Sequence, residues 1–331
     1  MRAPLQIGLH AAIIAVEDDN PLYLTLPGQT GAGAMLDGLP FGPFQPTLHR
    51  TLEMGLRNWV EEQTRLSLGY VEQLYTFGDT GRMQEHGPDS APSIVSVGYL
   101  ALVRKLDNGP AQPDLRWNSW YNHFPWEDWR NGPPSLLVET LMPALAEWVA
   151  DDPSERSSPS GLDRRVRFQL AFGTESQTGG IPKIIAWDEE RVLERYELMY
   201  EAGLVDEAVT DGQFSKLNLF TSPGKPMLHD HRRILATAIA RLRAKLKYRP
   251  VVFELLPENF TLTELQHTVE TLSGQLVHKQ NFRRLVEKAE LVEPTGATAS
   301  QTGGRPAAYF RFRRAILRER PAPGLRIGSR G

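Results

Sequence analysis

The sequence of 331 residues contains no cysteine, which excludes disulfide bonds and thiolate metal ligands. No apolar run approaches the roughly 18 residues that a membrane-spanning helix needs. The apolar stretch near the N-terminus is short, soon meets acidic residues and lacks the basic flank and cleavage site of a signal peptide, so we interpret it as a first strand. These absences predict a soluble, cytoplasmic protein with no membrane partner.

Acidic residues are scarce in the last third of the chain. Residues 227–331 contain 19 Lys and Arg but only 9 Asp and Glu, whereas residues 1–226 contain 18 and 31. This asymmetry indicates an acidic body followed by a basic part, and a basic part has the charge that binding to a phosphate backbone requires. We therefore predict a first domain over 1–226, a second over 227–317 and a disordered basic tail over 318–331.

The periodicity of apolar residues and the positions of Gly and Pro divide the first domain into strands and helices. We predict strands over 6–17, 21–27, 68–77, 94–104 and 165–173, and helices over 46–66, 134–150 and 187–203. An insertion near 105–135 holds four of the seven tryptophans, which are Trp117, Trp120, Trp126 and Trp129. Aromatic residues at this density cover a core or stack on a ligand, and the core is the favoured interpretation.

The second domain carries the pattern of a helix-turn-helix. Its first elements are a predicted helix over 229–248 and a predicted strand over 251–257. Thr261, followed three residues later by Glu264, forms a capping box that starts a helix over 262–273. A short turn then leads to a second helix over 278–289, whose apolar residues share one face and whose other face is basic.

The exposed face of this second helix suits contact with DNA. Arg and Lys match guanine edges and phosphates, Gln and Asn match adenine, and the N-terminal residues of such a helix reach the bases. Predicted strands over 291–294 and 307–314 flank a Gly-rich tip and form a wing, which meets phosphate or the minor groove. The order of these elements predicts a winged helix-turn-helix that binds double-stranded DNA. The candidate DNA-binding residues are Thr261, Thr263, Lys279, Gln280, Asn281, Arg283, Arg284 and Arg305.

Five further stretches are similar to those of a known family: 71–79 and 96–104 in the first domain, and 253–266, 279–296 and 303–312 in the second. On these stretches the sequence resembles the Nudix-related transcriptional regulators of NAD metabolism, the first two matching the Nudix core and the last three the winged helix. Residues 105–226 are poorly covered. The chain length and the Trp-rich insertion are closest to the longer alphaproteobacterial-type NAD regulators. The resemblance implies an α+β protein in which a Nudix-like α/β/α sandwich precedes the winged helix-turn-helix.

The resemblance further implies a function. It predicts a repressor of NAD biosynthesis or salvage genes that acts as a homodimer on a palindromic operator, with half-sites one or two helical turns apart. A nucleotide effector, which is ADP-ribose, NAD or ATP, would bind the Nudix-like domain and change the affinity for DNA, with no cofactor required. The candidate effector-binding residues are Glu62, Tyr75, Phe77, Trp117 and Trp120.

An active Nudix enzyme carries a box of Gly, five residues, Glu, seven residues and then Arg-Glu-aliphatic-x-Glu-Glu-x-Gly-aliphatic, whose glutamates hold a divalent metal against a diphosphate. This sequence departs from the box, and two registers are open. If Arg57 takes the place of the box arginine, Glu61 and Glu62 are retained but Asn58 replaces the first metal-binding glutamate. One metal carboxylate is then missing.

In the second register, residues 62–66 form the end of the box. Only Glu62 is then retained, and Trp59 and Gln63 stand at the other two acidic positions. Since neither register is intact, we expect no catalytic residues, no metal site and no hydrolase activity. Two alternatives stay open: an active Nudix diphosphate hydrolase of ADP-ribose-like substrates whose winged helix is regulatory, and a small-molecule-binding protein whose basic domain docks RNA or another protein.

Overall fold

The fold is known from a computed structural model. It describes residues 5–30, 33–78, 93–105, 114–151, 161–175, 182–212, 222–298, 306–320 and 324–325. Within these ranges no helix is both long and apolar enough to cross a membrane.

The first part is organised around one mixed sheet. Its strands are β1 Leu5–Glu17, β2 Asn20–Gln29, β3 Met35–Gly38, β4 Phe41–Pro43, β5 Tyr70–Phe77, β6 Ser93–Leu102 and β7 Arg116–Ser119. The order is β3-β2-β1-β6-β5, with β4 paired to β1 and β7 paired to β2. Strands β1 and β6 run parallel, whereas the β1–β2 and β5–β6 pairs are antiparallel.

The central strand β1 is buried on both faces. Leu9 and Ile13 point to one core, which they share with Leu56 and other residues of a helix, whereas Ile14 points to a second and larger core. Successive side chains of a strand face opposite sides of a sheet, so one apolar strand can supply two cores. The sheet is therefore the middle layer of an α/β/α sandwich.

The described residues of the first part form five helices. They are α1 Leu52–Thr64, α2 Met142–Ala150, α3 Arg164–Phe172, α4 Val192–Glu201 and α5 Asp206–Thr210. Helix α1 packs on β1 and β4. A π-helical turn, Leu136–Leu141, leads into α2. The predicted helices over 46–66, 134–150 and 187–203 are confirmed with shorter bounds, and the four predicted strands from 6–17 to 94–104 are confirmed with bounds that differ by at most two residues.

The strand predicted over 165–173 is wrong, because this segment is helix α3. Apolar residues alternate along it and imitate a strand. The buried positions are nevertheless Phe168, Ala171 and Phe172, which follow the spacing of one helical face, while Leu170 is 46% exposed. Asp163 caps the helix by accepting a hydrogen bond from the Val166 amide (2.7 Å).

Helix α6, His231–Tyr248, confirms the helix predicted over 229–248. The strand predicted over 251–257 is wrong, since Val251–Glu254 is a 3-10 turn. Its apolar residues are buried without alternation, and a short apolar run of this kind carries no periodicity that separates a strand from a buried turn.

The winged helix follows α6 as predicted. It consists of α7 Leu262–Ser273, α8 Lys279–Ala289 and a three-stranded sheet of β8 Phe260–Thr261, β9 Val292–Thr298 and β10 Ala308–Phe312, in the order β8-β10-β9. A short helix, α9 Ile316–Glu319, comes after the wing. In the segment expected to be disordered, Leu325 is instead buried and its amide donates to the Leu246 carbonyl at the end of α6 (3.1 Å).

Every basic side chain of α6 that the sequence assigned to a basic DNA-binding part is paired with an acidic residue of the preceding body. The pairs are Arg232–Glu207, Arg233–Glu197, Arg241–Glu72, Arg243–Glu127, Lys245–Glu72 and Lys247–Glu189. Arg232 and Arg243 are fully buried, although the helical pattern placed them on the outer face. Much of the basic charge of 227–331 therefore attaches α6 to the acidic body and is not available to DNA.

Two buried histidines connect the start of α6 to the sheet. The Leu39 amide donates to His231 Nδ1 (3.0 Å), so the proton of this ring is on Nε2, which donates to His10 Nδ1 (3.0 Å). His10 Nε2 in turn donates to Ser96 Oγ (3.1 Å). Burial lowers the pKa of His10 to about 3 and that of His231 well below its usual value. The chain of hydrogen bonds thus requires both rings to be neutral.

Acid should therefore destabilise the fold. His123 is a third buried histidine, with a pKa lowered by burial to about 4. In the unfolded chain each of these histidines gains a proton below about pH 6.5, whereas in the folded chain it does not. The free energy of unfolding therefore decreases as the pH is lowered, by up to about 1.4 kcal/mol per pH unit for each histidine. Urea unfolding between pH 7.5 and pH 5 measures this slope.

The contribution of a single ring can be measured separately. His123→Gln should reduce the slope by up to about 1.4 kcal/mol per pH unit relative to the parent protein. A free energy of unfolding that stays constant from pH 7.5 to pH 5 would contradict the neutral, buried state of these rings.

Candidate DNA-binding interface and Nudix-like site

The start of α7 is fixed by a complete capping box. The Thr261 hydroxyl accepts a hydrogen bond from the Glu264 amide (3.2 Å), and the Glu264 carboxylate accepts one from the Thr261 amide (2.6 Å). The Thr261 side chain is buried in this cap, whereas Thr263 is exposed. Of the two threonines assigned to DNA contact, Thr261 has a structural partner and Thr263 faces solvent.

Helix α8 presents the predicted polar face. Phe282 and Val286 are buried beneath it. The candidates Lys279, Gln280, Asn281, Arg283 and Arg284 are all exposed. The structure thus brings five of the eight predicted DNA-binding residues onto one surface, at the N-terminal half of a helix that follows a short turn.

The charge of α8 differs from that of α6 in its availability. Within the described ranges, Lys279, Arg283 and Lys288 form no ion pair, and Arg284 contacts only Asn281, through a long hydrogen bond of 3.5 Å. Cations without a carboxylate partner are available to phosphates and base edges. Helix α8 therefore carries four cations without a carboxylate partner among the described residues, and Arg314 and Arg318 after the wing are also exposed.

The base of the wing is electrically neutralised. Arg311 pairs with Glu293 across the two wing strands (2.6 Å), and Arg313 pairs with Glu319 of α9 (2.7 Å). These arginines hold the wing together. Arg305, which the sequence assigned to DNA contact at the wing tip, lies outside the described residues.

The five candidate effector-binding residues do not meet at one place. Phe77 and Trp120 are buried in the larger core, and Tyr75 is 61% exposed with its ring 5.3 Å from that of Phe77. Trp117 lies on β7, at the opposite edge of the sheet from β5, four strand spacings or about 19 Å away. Glu62 is exposed on α1.

The end of α1 distinguishes between the two registers of the Nudix box. Arg65 adopts a left-handed conformation (φ 59°) as the C-cap of the helix. This is the conformation that glycine adopts most easily at a helix end, and the second register places Arg65 at the box glycine. The geometry favours this register, in which Glu62 is retained and Trp59 and Gln63 replace two glutamates.

Both replacing side chains donate hydrogen bonds to strand β4. The Trp59 indole donates to the Pro43 carbonyl (2.8 Å) and the Gln63 amide donates to the Phe41 carbonyl (2.8 Å). Trp59 also covers Gly42 so closely that a Cβ atom there would come within 2.3 Å of its ring. Positions that would present carboxylate oxygens to a metal instead carry N–H donors that attach α1 to β4. Among the described residues, no group of three potential ligands could hold a metal ion.

A buried group of charges that the sequence periodicity does not predict is formed by Glu127, Arg195 and Arg243, all of which are fully buried. The signal was present for Arg243, which lies four residues after Ile239 and three before Leu246, on the apolar stripe of α6. A cation on an apolar stripe needs a buried partner. The sequence offered no means of identifying Glu127 as that partner.

Residues 252–312 match the family of the NrtR DNA-binding winged helix domain. The resemblance predicted from the sequence is confirmed. A stretch of 83 residues, 25% of this chain, is 40% identical to the ADPR responsive transcriptional repressor NtrR of Acinetobacter baylyi. The match spans 33% of the length of that relative, so it supports an NrtR-type winged helix and leaves the activity of the whole chain open.

The fold over most of the chain is similar to that of NrtR of Shewanella oneidensis. The structure of that protein in complex with a 27mer DNA has a TM-score of 0.52 and 21% identity, and the match covers 92% of this chain and 93% of the other. Its structure without DNA gives a TM-score of 0.50 with the same identity and coverage. The predicted architecture, a Nudix-like sandwich followed by an NrtR-type winged helix, is confirmed at the level of the fold.

The contacts of Trp59 predict that the box cannot be restored without loss of stability. Trp59→Glu removes the indole that covers Gly42 and turns a carboxylate toward the Pro43 carbonyl oxygen. We expect the free energy of unfolding to fall by about 2–4 kcal/mol, measured by urea unfolding at neutral pH. Glu61→Gln, on the exposed side of the same helix, should stay within about 0.5 kcal/mol. Equal stability of the two variants would contradict the structural role of Trp59.

Proposed function

We propose that this protein is an NrtR-type transcription repressor of NAD biosynthesis or salvage genes, whose winged helix binds DNA and whose Nudix-like part responds to ADP-ribose. The observation that carries the proposal is the contrast between two basic helices. The basic side chains of α6 form ion pairs with the acidic body, whereas α8 exposes Lys279, Arg283 and Arg284 without carboxylate partners among the described residues. Free cations with Gln and Asn on one helix suit a duplex.

ADP-ribose is the proposed effector because the relative from Acinetobacter baylyi is an ADPR responsive repressor. NAD and ATP share the adenosine diphosphate part and remain the competing effectors to be tested. An effector changes DNA binding only if it prefers one of two conformations of the protein. The effector is therefore expected to bind the sandwich and to alter the arrangement of the winged helix.

A homodimer on a palindromic operator is part of the proposal. A single helix-turn-helix reads a short half-site, and a two-fold symmetric dimer doubles the contacts on two half-sites one or two helical turns apart. The pair of wings and recognition helices would then need a fixed separation. A change in that separation is a direct way for an effector to release the DNA.

We further propose that the Nudix-like part binds without hydrolysis. Trp59 and Gln63 occupy two acidic positions of the favoured box register and are engaged with β4. Glu62 alone cannot neutralise a diphosphate with divalent metal or activate a water molecule. A nucleotide that is bound but not consumed reports its own concentration, which suits a sensor.

The test of DNA recognition is a binding titration by fluorescence anisotropy. The duplexes are taken from the region upstream of the protein's own gene and from neighbouring NAD biosynthesis genes, with and without ADP-ribose, NAD or ATP. Arg283→Ala should weaken specific binding by about 1–3 kcal/mol and relax discrimination at one base pair. Arg241→Ala is the matched control, because this exposed arginine of α6 faces Glu72 of the body.

Equal losses in the two variants, or no loss in either, would show that α8 does not read the duplex. Specific binding that ADP-ribose alone shifts would support the proposed effector. A shift by NAD or ATP instead would retain the regulator and replace its signal. No specific binding under any condition would overturn the repressor proposal and direct attention to RNA.

Hydrolysis is tested separately with ADP-ribose and Mg²⁺. We expect no release of AMP and ribose phosphate above the rate without protein, because two of the metal carboxylates are missing. Turnover that requires Mg²⁺ and disappears in Glu62→Gln would establish the hydrolase alternative.

A further inference from the structure

The Trp-rich segment of the sandwich, residues 117–129, grips the end of α7 through two hydrogen bonds. The Tyr121 hydroxyl donates to the Thr271 carbonyl (2.8 Å), and the Trp129 amide donates to the Gly274 carbonyl (2.7 Å). The last carbonyl groups of a helix have no hydrogen-bond partner within the helix. The two contacts supply partners for the Thr271 carbonyl in the last turn of α7 and for the Gly274 carbonyl in the turn that follows. This turn leads directly into α8, so the grip lies next to the proposed recognition helix.

A buried carboxylate anchors this grip. Glu127, in the same segment, accepts two hydrogen bonds from Arg195 of α4 (2.6 and 2.8 Å) and one from Arg243 of α6 (2.6 Å). Arg243 also donates through Nε to the Leu272 carbonyl of α7 (2.9 Å). All three charged side chains are fully buried, so water does not weaken these contacts.

An aromatic stack holds the segment from the other side. The Trp129 ring stacks on Trp187 with 4.2 Å between ring centres, and the Arg195 guanidinium lies 3.8 Å from the Trp187 ring centre. The segment is therefore connected to α4, α6 and α7 together. Of these elements, α7 is the first helix of the helix-turn-helix.

Gly274 shows how closely the parts fit. Its φ is +72°, and a Cβ atom at this position would come within 2.4 Å of the Glu127 carbonyl oxygen and 2.9 Å of the Tyr121 hydroxyl. A glycine is required both by the backbone conformation at the end of α7 and by the approach of the Trp-rich segment. Any rotation of α7 against the sandwich must open this contact.

The tip of the β1–β2 hairpin makes a second contact between the sandwich and α7. Asp19 Oδ1 lies 3.4 Å from His267 Nδ1 on α7, and the Asp19 carbonyl accepts a hydrogen bond from Arg130 (2.6 Å). Arg130 follows the Trp-rich segment and is held by Asp128. The strand β2, which ends the hairpin, also pairs with β7 at the start of that segment. The sheet is thus connected to the Trp-rich segment and to α7 by direct polar contacts.

We propose that Tyr121, Glu127, Trp129, Arg195, Arg243 and Gly274 form an interdomain joint that sets the angle at which α8 is presented to DNA. In this proposal, which rests on the proposed function, a nucleotide that moves β2 or β7 changes the joint and so changes the affinity for DNA. Tyr121 and Glu127 are positioning residues that contact neither DNA nor effector. The Trp-rich segment is then the element through which binding of the effector changes the position of α8.

The test measures the position of α8 directly. Because the sequence contains no cysteine, Glu61→Cys on α1 and Glu287→Cys on α8 allow two spin labels at exposed sites, and dilution with unlabelled protein isolates the distance within one chain. Tyr121→Phe removes one hydroxyl contact, and Gly274→Ala forces the joint open. Tyr248→Phe, at an exposed tyrosine at the end of α6, is the matched control.

We expect a single narrow distance in the parent and in Tyr248→Phe, and a broadened or displaced distance in Tyr121→Phe and Gly274→Ala. In DNA titrations, the shift that ADP-ribose causes should shrink by about 5-fold or more in Tyr121→Phe, while the affinity for ADP-ribose measured by calorimetry stays within about 2-fold. Tyr121→Phe is a mild change, so it tests the joint even if Gly274→Ala does not fold.

An unchanged distance distribution in Tyr121→Phe, together with an unchanged response to ADP-ribose, would overturn the joint. This outcome differs from failure of the proposed function. A parent protein that binds neither DNA nor ADP-ribose would refute the repressor, but the distance measurement would still decide whether these residues set the position of α8.

Discussion

The arrangement of the two parts depends on one buried carboxylate. Glu127 contacts two fully buried arginines, Arg195 and Arg243, and can neutralise the charge of only one, while their remaining N–H groups donate to backbone carbonyls, among them the Leu272 carbonyl of α7. A buried ion group of this kind contributes little net stability compared with apolar packing, but loss of one member leaves uncompensated charge. Its value is geometric, because bidentate guanidinium contacts fix the relative orientation of three helices.

Ion pairing also bears on how a protein with a net negative charge could bind DNA, as we propose. The body is acidic, and a uniform distribution would repel a duplex. The pairing of α6 with the body neutralises cations and carboxylates together, whereas the cations of α8 keep no carboxylate partner among the described residues. The helix that could contact bases therefore also contributes positive charge that can attract a phosphate backbone.

The winged helix could be predicted closely because its signals are local. The capping box at Thr261 and the apolar stripe through Phe282 each depend on a few neighbouring residues. The errors came from elsewhere: alternation in α3 imitated a strand, and Arg243 was assigned to an exposed face. Its partner Glu127 is more than a hundred residues away, and the five effector candidates are separated across the sheet. Contacts of this kind arise from tertiary packing, which periodicity does not encode.

The residues at the Nudix-box positions affect the stability of the sandwich. An enzyme that binds a metal through several acidic residues keeps like charges close together, and this lowers its stability. Here Trp59 and Gln63 stand at two of these positions and donate hydrogen bonds that connect α1 to β4. Since β4 and β7 belong to the same sheet and β7 leads into the contacts with α7, the hydrogen bonds at the box positions and the proposed path to the helix-turn-helix share one framework.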